Sequence, residues 1–424
     1  MNHIFVEKFG GASVKSAEGV RNVASIIKRE DKKRLVVISA MGKTTNALEK
    51  VVGEFYSFKH IDYSTLQDIK DYHTRIIQEL FENPNNTATD YLNQTIEDIS
   101  LFLLKEKDVS YSELYDAIVS FGEKICIKII SEYLFSIRLE HKQVNAFENI
   151  VTDSSFRMAK VKWQETQSKI SQNVLPLFIN YNTVLTQGFI ASNSQGQMTT
   201  LGREGSDFSA SVFAYCLSAQ SVTIWKDVAG LMNADPKRMP LAQLLEQVPY
   251  AEAIELSYYG ASVIHPKTLK PLENRNIPLY VKSFLCHEEK GSAIGRFENI
   301  NPNIPSFIFK DNQMLLSITP EDFSFVVEEN LSKIFSLFTR LGIKINLMQN
   351  SALSFSVCFD MPQKETLDSL IAELSLSYLV KYNDNLTLVT IRRYTPDAIV
   401  TMTEGKTILL QQLSRLTAQF LILN

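Results

Sequence analysis

The sequence predicts an α/β protein whose mostly parallel sheet is covered by helices on both faces, followed by a smaller α+β region. Three observations lead to this prediction. The chain opens with strand, glycine loop, helix, strand, loop and helix, the order of a parallel sheet. Past residue 306 the order becomes strand, helix, strand, strand, helix, strand, which is the ferredoxin-like unit. The 424 residues also exceed what one hydrophobic core usually supports.

The first two strands each end in a loop suited to ligand binding. Residues 3–9 read as a strand that stops at Gly10–Gly11, and apolar residues follow at helical spacing from Val14. Residues 34–39 read as a second, buried strand, and the loop 40–45 leads into another helix. Ligands of parallel sheets bind beyond the carboxyl ends of the strands, and both loops are predicted to lie there.

The middle of the chain is predicted to be helical over residues 46–140, with a turn at 82–90. Further strands are expected at 143–146, 183–191, 221–225 and 279–282. The stretch 299–306 contains two prolines and three asparagines, a composition typical of a linker. We therefore expect a first domain at residues 1–298.

Residues 307–424 are predicted to form the ferredoxin-like region. Its elements are expected to be strands at 314–319, 344–349, 354–360 and 378–382 and helices at 326–341 and 365–374. Residues 386–392 and 406–423 add strand and helix material that amounts to an incomplete second unit. Open sheet edges favour pairing with another chain, so a homodimer or higher homo-oligomer through this region is expected. A plain dimerisation domain is the alternative reading.

Composition excludes several classes of protein. A net charge of -4 does not indicate the basic surface that binding to nucleic acid or to an anionic membrane requires. The four cysteines are far apart and the six histidines lack ligand spacing, so no metal site is expected. No charge-free run of 18 residues is present, and the chain opens on a strand rather than on a secretory leader. A cytoplasmic location is expected.

The stretch 199–210 is predicted to bind an anion. It leads from a strand through a glycine turn into a helix, so backbone N–H groups and the positive end of the helix dipole point at one spot. Arg203 adds a planar fork for a carboxylate or phosphate, and Asp207 can orient an ammonium group or a hydrated metal. The alternative is an ordinary helix start capped by Ser206.

Two further loops support an anion site. In residues 8–14, paired glycines permit close approach of a phosphate, and Lys8 supplies a point charge. The spacing matches neither common nucleotide-binding glycine motif, so this loop is weak support by itself. Residues 39–46 offer hydroxyl groups and Lys43.

Taken together, six segments of the chain resemble the aspartate kinase family, a branch of the amino acid kinase superfamily. The matching segments are 8–14, 39–46, 121–123, 199–210, 225–237 and 255–268, in family order. The resemblance extends over essentially the whole chain and includes the regulatory ACT-type region. It implies the amino acid kinase three-layer αβα sandwich and phosphorylation of the β-carboxylate of L-aspartate by Mg²⁺-ATP. It also implies a role in lysine, threonine, methionine and isoleucine biosynthesis.

The resemblance implies roles for particular residues. Lys8 and Asp207 are the expected catalytic residues, with Asp207 on the amino acid side of the site. Lys8 is expected to hold the transferring phosphate with the residues of the phosphate side, Gly10, Gly11, Ser13 and Ser206. The residues expected to bind aspartate are Ser39, Thr45, Glu123 and Arg203, with Glu123 on the ammonium group and Arg203 on the α-carboxylate. The nucleotide is expected to contact Lys226, Asp227, Pro236 and Lys237. An amino acid effector, lysine or threonine, is expected at Asn346 and Gln349.

Several of these residues could instead have purely structural roles. Asp227 could cap a turn, Lys237 could be surface charge, and Ser13 could be a helix N-cap. Asn346 and Gln349 could be the polar edge of a strand. Glu123, by contrast, lies in an apolar helix, where burial without a partner would be costly.

The chain also departs from the family pattern at the positions Ala12, Glu204, Lys226, Met232 and Ser262. Ser262 stands where a nucleotide-contacting lysine is common, and we expect Lys226 or Lys43 to replace that lysine. We also expect the Glu204 carboxylate to point away from the substrate or to pair with a lysine. Two alternatives to aspartate kinase remain: a glutamate or acetylglutamate kinase of the same fold, and a sensing subunit without turnover.

Overall fold

The computed structural model describes residues 3–83, 85–105, 109–261, 263–322 and 324–423. The chain divides into two compact units. The first unit comprises Met1–Leu231, Leu244–Ile254 and Val263–Pro302, and the second comprises Met232–Gln243, Glu255–Ser262 and Asn303–Asn424. Two segments from before residue 298 thus group with the second unit, and the domain boundaries at 298 and 307 remain a prediction.

The first unit is built on parallel strands alternating with helices. Its elements up to the long helix are β1 Ile4–Phe9, α1 Ala17–Arg29, β2 Lys33–Ile38, α2 Thr44–Phe58, α3 Tyr63–Leu80, α4 Thr87–Lys105 and α5 Tyr111–Ser136. The next are β3 Lys142–Val144, α6 Ala146–Asn149, β4 Val151–Thr152, α7 Trp163–Asn173, β5 Thr183–Gln187, β6 Ile190–Asn193 and β7 Met198–Thr200. The last are α8 Gly205–Leu217, β8 Ser221–Lys226, β9 Gln247–Pro249, α9 Tyr250–Tyr259, α10 Pro266–Arg275, β10 Leu279–Ser283 and β11 Ser292–Gly295. The residues of α9 from Glu255 onwards are assigned to the second unit.

The main sheet of this unit has eight strands in the order β3-β5-β2-β1-β8-β10-β11-β9. Every neighbouring pair is parallel except β10 with β11, so the prediction of a mostly parallel sheet is confirmed. Phe9 is opposite Ile38 on one side and Trp225 on the other. The carboxyl ends of β1, β2 and β8 therefore meet at the centre of one sheet edge.

Some predicted element boundaries in this unit are wrong. The strand predicted at 183–191 is two strands, β5 and β6, which belong to different sheets. The strand is interrupted between β5 and β6, because Phe189 has φ +69°. Gly188 also lies so close to Ser206 that a Cβ on residue 188 would be 2.5 Å from the Ser206 side chain. The turn predicted at 82–90 ends earlier, because the Asn86 side chain accepts the amides of residues 88 and 89 and starts α4 at Thr87. Pro84 lies outside the described residues.

Two other element ends also differ from the prediction. The strand expected at 143–146 stops at Val144, because the Ala146 amide donates to the Gln187 side chain and Ala146 begins α6. The apolar spacing that begins at Val14 is at first a 3₁₀ helix, Gly11–Val14, and α1 begins at Ala17. The glycine loop is therefore a tight turn rather than the start of the helix.

The second unit has a single antiparallel sheet. Its elements are β12 Ser306–Pro320, α11 Glu328–Arg340, β13 Ile345–Asn350, β14 Phe355–Asp360, α12 Lys364–Leu374, β15 Tyr378–Arg392, α13 Pro396–Thr403, β16 Ile408–Leu413 and β17 Thr417–Leu423. The sheet order is β13-β14-β12-β15-β17-β16. The four strands β12 to β15 with α11 and α12 have the strand order of a ferredoxin-like fold, which confirms that prediction. None of the described helices in either unit combines the length and apolar character that a membrane crossing requires.

Two strands of this sheet are longer than predicted. β12 and β15 are 15 residues each, whereas the predicted strands covered 314–319, 378–382 and 386–392. The extra length pairs Ser306–Lys310 with Leu388–Arg392, so the predicted linker 299–306 ends in a paired strand residue. Because of this added length, the ferredoxin-like unit and the strands β16 and β17 belong to one continuous sheet.

An ion pair is buried under the centre of the main sheet. Glu7 and Arg34 are only 2% and 1% exposed, and Arg34 Nη1 lies 3.3 Å from Glu7 Oε1. The Trp225 indole donates to the other carboxylate oxygen of Glu7 at 3.2 Å. This pair joins β1, β2 and β8, the three strands whose ends carry the candidate site.

We predict that Glu7→Gln lowers the free energy of unfolding of the first unit by about 3–5 kcal/mol, because it leaves the Arg34 charge buried without a counter-ion. Urea denaturation followed by tryptophan fluorescence measures this. The matched control is Glu288→Gln, which breaks the exposed Arg29–Glu288 pair and should leave stability close to wild type. Equal stability of the two variants would contradict the prediction.

Candidate active site

A cavity of about 980 Å³ opens at the carboxyl ends of the central strands of the first unit. This volume is at the upper end of the usual range for small-ligand sites. Of the residues predicted for the site, those that line it are Lys8, Gly11, Ser39, Thr45, Glu123, Arg203, Ser206, Asp207 and Lys226. The strand ends thus bring together most of the residues selected for phosphate and for aspartate.

Asp207 lies between two lysines in this cavity. Its Oδ1 is 2.6 Å from Lys8 Nζ and its Oδ2 is 3.3 Å from Lys226 Nζ. Asp207 is 2% exposed. Burial acts to raise the pKa of Asp207, but the charges of Lys8 and Lys226 outweigh it and hold the pKa below its usual value. Two ammonium groups around one carboxylate leave a net positive charge, which suits an anion.

Close backbone packing places these three groups. Lys8 is on β1, Lys226 ends β8, and Asp207 is in the first turn of α8. Gly205 allows α8 to begin against Phe189, since a Cβ there would be 2.7 Å from that ring. Gly11 is packed equally tightly, with a Cβ position 2.7 Å from the Ala40 carbonyl oxygen, so the two predicted loops are in contact.

Glu123 is a buried carboxyl group with an unused acceptor. It lies in α5 with 3% exposure, and its Oε1 accepts a weak hydrogen bond of 3.4 Å from the Ala40 amide. Its Oε2 has no hydrogen-bond partner among the described residues. Burial raises the pKa of Glu123 to about 8, while the Ala40 amide and the charge of Lys8 act in the opposite direction. A cation entering the cavity would stabilise the ionised form.

Arg203 has an exposed guanidinium in the turn before α8. Within the described part of the chain it makes no hydrogen bond or ion pair, so its donors are available to a ligand. Ser39 and Thr45 are half-buried and line the same cavity as Glu123.

The N-caps of α8 and α1 are not the serines that the structural alternatives named. Ser206 is not the N-cap of α8: the N-cap is Glu204, at φ +52°, and no side chain caps the helix. Ser13 is not the N-cap of α1, because Ser16 accepts the Gly19 amide at 3.2 Å. The Ser13 hydroxyl is instead buried without a hydrogen-bond partner in the described structure. An unsatisfied hydroxyl beside the glycine loop is compatible with a ligand contact.

The Glu204 carboxylate is not unpaired in the cavity. Its Oε2 accepts the backbone amide of His265 at 2.9 Å. The partner is therefore a main-chain N–H group. Pairing with a lysine, one of the two arrangements expected from the sequence, is not found among the described residues. This bond fixes the turn that carries Arg203.

Other predicted nucleotide residues are not part of the cavity lining. Gly10 is adjacent to it and accepts the Ser13 amide at 2.9 Å. Asp227 is exposed just after β8. Pro236 and Lys237 are exposed and belong to the second unit, and Ser262 lies outside the described residues. Their roles remain predictions.

Sequence reasoning missed Arg157 and the buried Asp116 that binds its backbone. Arg157 lines the cavity, and Asp116, fully buried in α5, accepts the Arg157 amide at 2.9 Å. Asp116 also accepts the Thr200 amide at 2.8 Å and the Thr200 hydroxyl at 2.6 Å. A signal was available for Asp116, because it precedes Glu123 by two helical turns on the same apolar helix.

The predicted effector residues lie in the second unit. The Asn346 side chain accepts from Lys310 at 2.8 Å and donates to Gln313 and Asp360 at 2.8 and 3.1 Å. It also lines a cavity of about 550 Å³ in this unit, whereas Gln349 is exposed and is not part of the lining. The effector role of both residues remains a prediction.

The chain is similar to proteins of known family. The model of the amino acid kinase family matches residues 3–283. Aspartokinase 2, chloroplastic, of Arabidopsis thaliana is 30% identical over 399 residues, which cover 89% of this chain and 71% of that protein.

Two crystal structures of E. coli aspartokinase III are also similar to this chain. The complex with lysine and aspartate has a TM-score of 0.83 at 27% identity, covering 99% of this chain and 95% of that one. The complex with aspartate and ADP has a TM-score of 0.81 at 26% identity, covering 99% and 96%. The similarity thus extends over both units of the chain.

We predict that Glu123→Gln changes the pH dependence of stability. Because the folded pKa of about 8 exceeds the unfolded value of 4.5, the folded state retains a proton that the unfolded state releases. Stability of the wild type should therefore fall between about pH 4.5 and 8, by an amount on the order of 1.4 kcal/mol for each unit of pKa shift. Glutamine cannot ionise, so thermal melting of this variant should depend less on pH. Parallel curves would contradict the prediction.

Proposed function

Because the chain belongs to the aspartokinases, within the amino acid kinase family, we propose that its first unit phosphorylates the β-carboxylate of L-aspartate with ATP. The product is β-aspartyl phosphate, the first intermediate of lysine, threonine and methionine synthesis. The single observation that carries this proposal is the buried Lys8–Asp207–Lys226 cluster in a cavity that also contains Glu123 and Arg203.

The chemistry requires positioning rather than a general base. A carboxylate is already a nucleophile near neutral pH, so the enzyme must bring two anions together and neutralise the charge of the transferring phosphoryl group. Lys8 and Lys226 supply that charge, and Asp207 keeps both ammonium groups at fixed points. The amides of Gly10 and Gly11 and the hydroxyls of Ser13 and Ser206 complete the phosphate side of the site.

Aspartate binding uses the opposite charges of the cavity. Arg203 holds the α-carboxylate through its free donors, and Glu123 pairs with the ammonium group through its unused oxygen. Ser39 and Thr45 donate hydrogen bonds to the carboxylates. The β-carboxylate is then directed towards Lys8.

Of the residues predicted to contact the nucleotide, only Lys226 is part of the cavity lining. Lys226 contacts Asp207, which supports the proposal that Lys226 replaces the nucleotide-binding lysine common in the family at position 262, where this chain has Ser262. Asp227, Pro236 and Lys237 are also proposed to face the nucleotide. Mg²⁺ would arrive with the ATP phosphates and neutralise their charge. The described residues contain no cluster of three or more His, Cys, Asp or Glu side chains suited to a metal.

The second unit is proposed to bind an amino acid effector and to join subunits. Lysine is the first choice of effector, because lysine is present in a structure of E. coli aspartokinase III similar to this chain; threonine is the alternative. The open edges of β13 and β16 support a homodimer or higher oligomer. A cytoplasmic location remains part of the proposal.

A hydroxamate assay tests the function directly. We expect hydroxylamine to trap an acyl phosphate with ATP and aspartate, and neither glutamate nor acetylglutamate to give more than a trace. Preference for glutamate or acetylglutamate would assign the chain to another carboxylate kinase. Tight amino acid binding without any turnover would identify a sensing subunit.

We predict that aspartate binding near pH 7 releases up to one proton, because the substrate ammonium group needs an ionised Glu123 and the free carboxyl has a pKa of about 8. The Michaelis constant for aspartate should accordingly fall as the pH rises from about 6 to about 8. Calorimetry in two buffers of different ionisation enthalpy counts the proton. Glu123→Gln should bind aspartate weakly and release none; equal release by both proteins would refute this role.

We predict that Lys226→Ala raises the KM for ATP about tenfold or more, since a hydrogen bond to a charged group is lost. Lys43→Ala is the matched comparison, because Lys43 is exposed and not part of the cavity lining. Its KM for ATP should stay within about twofold of wild type. An unchanged KM in Lys226→Ala, or the reverse order of the two variants, would contradict the assignment.

A further inference from the structure

Arg157 is a second arginine that lines the cavity. It is exposed to the cavity, and its guanidinium makes no ion pair with any of the described residues. The proposed phosphoryl transfer assigns it no role. Its charge interacts with that of buried Asp116 without forming an ion pair, so its N–H donors are available to a ligand.

Aromatic stacking orients this guanidinium. Its Cζ lies 4.6 Å from the centre of the Tyr115 ring and 5.3 Å from the centre of the Tyr111 ring. Both tyrosines are in the first turns of α5. Cation–π contact engages the charge of the guanidinium and does not use its N–H donors, which stay free for a carboxylate. The arginine is therefore restrained before the ligand arrives.

The backbone of Arg157 is fixed just as firmly. It has φ +67°, a left-handed conformation that is unusual for arginine, and its amide donates to buried Asp116 at 2.9 Å. Asp116 binds Thr200 as well, and the Ala159 amide donates to the Thr200 carbonyl at 3.0 Å. A strained backbone conformation that several surrounding contacts hold in place is typical of functional sites.

These contacts place the segments of Arg157 and Arg203 side by side. Gly202 lies so close that a Cβ would be 2.9 Å from the Arg157 carbonyl oxygen, and Arg203 is the next residue. A carboxylate has two oxygens with about four acceptor positions, so it can accept donors from two arginines. The lysine cluster at Asp207 already serves the transferring phosphate and the β-carboxylate directed at it.

We propose that Arg157 is a second substrate-binding residue, which holds the α-carboxylate of the acceptor amino acid together with Arg203. This inference rests on the proposed function. Arg157 thus selects acceptors that carry a free α-carboxylate, and Asp116 is the positioning residue that aligns the two arginine segments.

The test compares Arg157→Met and Arg157→Lys with wild type. Methionine keeps the stack on the tyrosines without the charge, and lysine keeps the charge without the planar fork. We expect Arg157→Met to raise the KM for aspartate about 10- to 100-fold, with the KM for ATP within about twofold. Arg157→Lys should restore only part of the affinity. The control Arg275→Met removes a stacked arginine over Tyr215, outside the cavity lining, and should leave both constants unchanged.

The α-amide of aspartate provides a second arm, as acceptor or competitive inhibitor. Because it lacks the α-carboxylate, its affinity should fall less than about threefold in Arg157→Met. An unchanged KM for aspartate in a folded Arg157→Met protein, an equal loss for the α-amide, or a rise confined to the KM for ATP would each overturn the inference. Failure of wild type to phosphorylate aspartate would instead refute the proposed function.

Discussion

The contact of Asp207 with Lys8 and Lys226 is the interaction on which the rest of the site depends. A buried carboxylate is costly unless it is paired, and here two ammonium groups from neighbouring strands pair with it. The pairing requires β1 and β8 to be adjacent and α8 to begin against them, so the sheet order, the glycine at 205 and the buried Glu7–Arg34 pair all serve it. The surplus positive charge is the basis of phosphate binding.

Three buried carboxyl groups of this site have different environments and different roles. Two lysines hold the pKa of Asp207 below its usual value, so it stays ionised and orients them. Asp116 accepts hydrogen bonds from Thr200 and Arg157, although burial still raises its pKa, and it aligns two segments of the cavity wall. Glu123 is left half-satisfied, with a pKa raised to about 8 by burial, and it is completed by a cationic ligand.

The sequence predicted the fold class and most of the cavity because those features have local signals. The glycine loops, the charged residues at strand ends and the change of element order after residue 306 can be read from the chain alone. Arg157 was missed because its position depends on Asp116 and Gly202, which are distant from it in sequence. The long strand β15 was predicted as two shorter strands, because the exposed polar residues 383–385 interrupt its apolar pattern. Pairing with β12 shifts register in this region and resumes on both sides of it, so the two predicted strands are one.

The rate of phosphoryl transfer in Lys8→Met tests the central claim most directly. Rapid-quench measurement with saturating ATP and aspartate isolates this step from binding. If the cluster stabilises the transferring phosphoryl group, the step should slow by about 10²–10³-fold while the affinity for aspartate stays within about twofold. A wild-type rate of transfer, accompanied by weaker aspartate binding, would contradict the account, because it would make Lys8 a substrate anchor and leave the lysine cluster without a catalytic role.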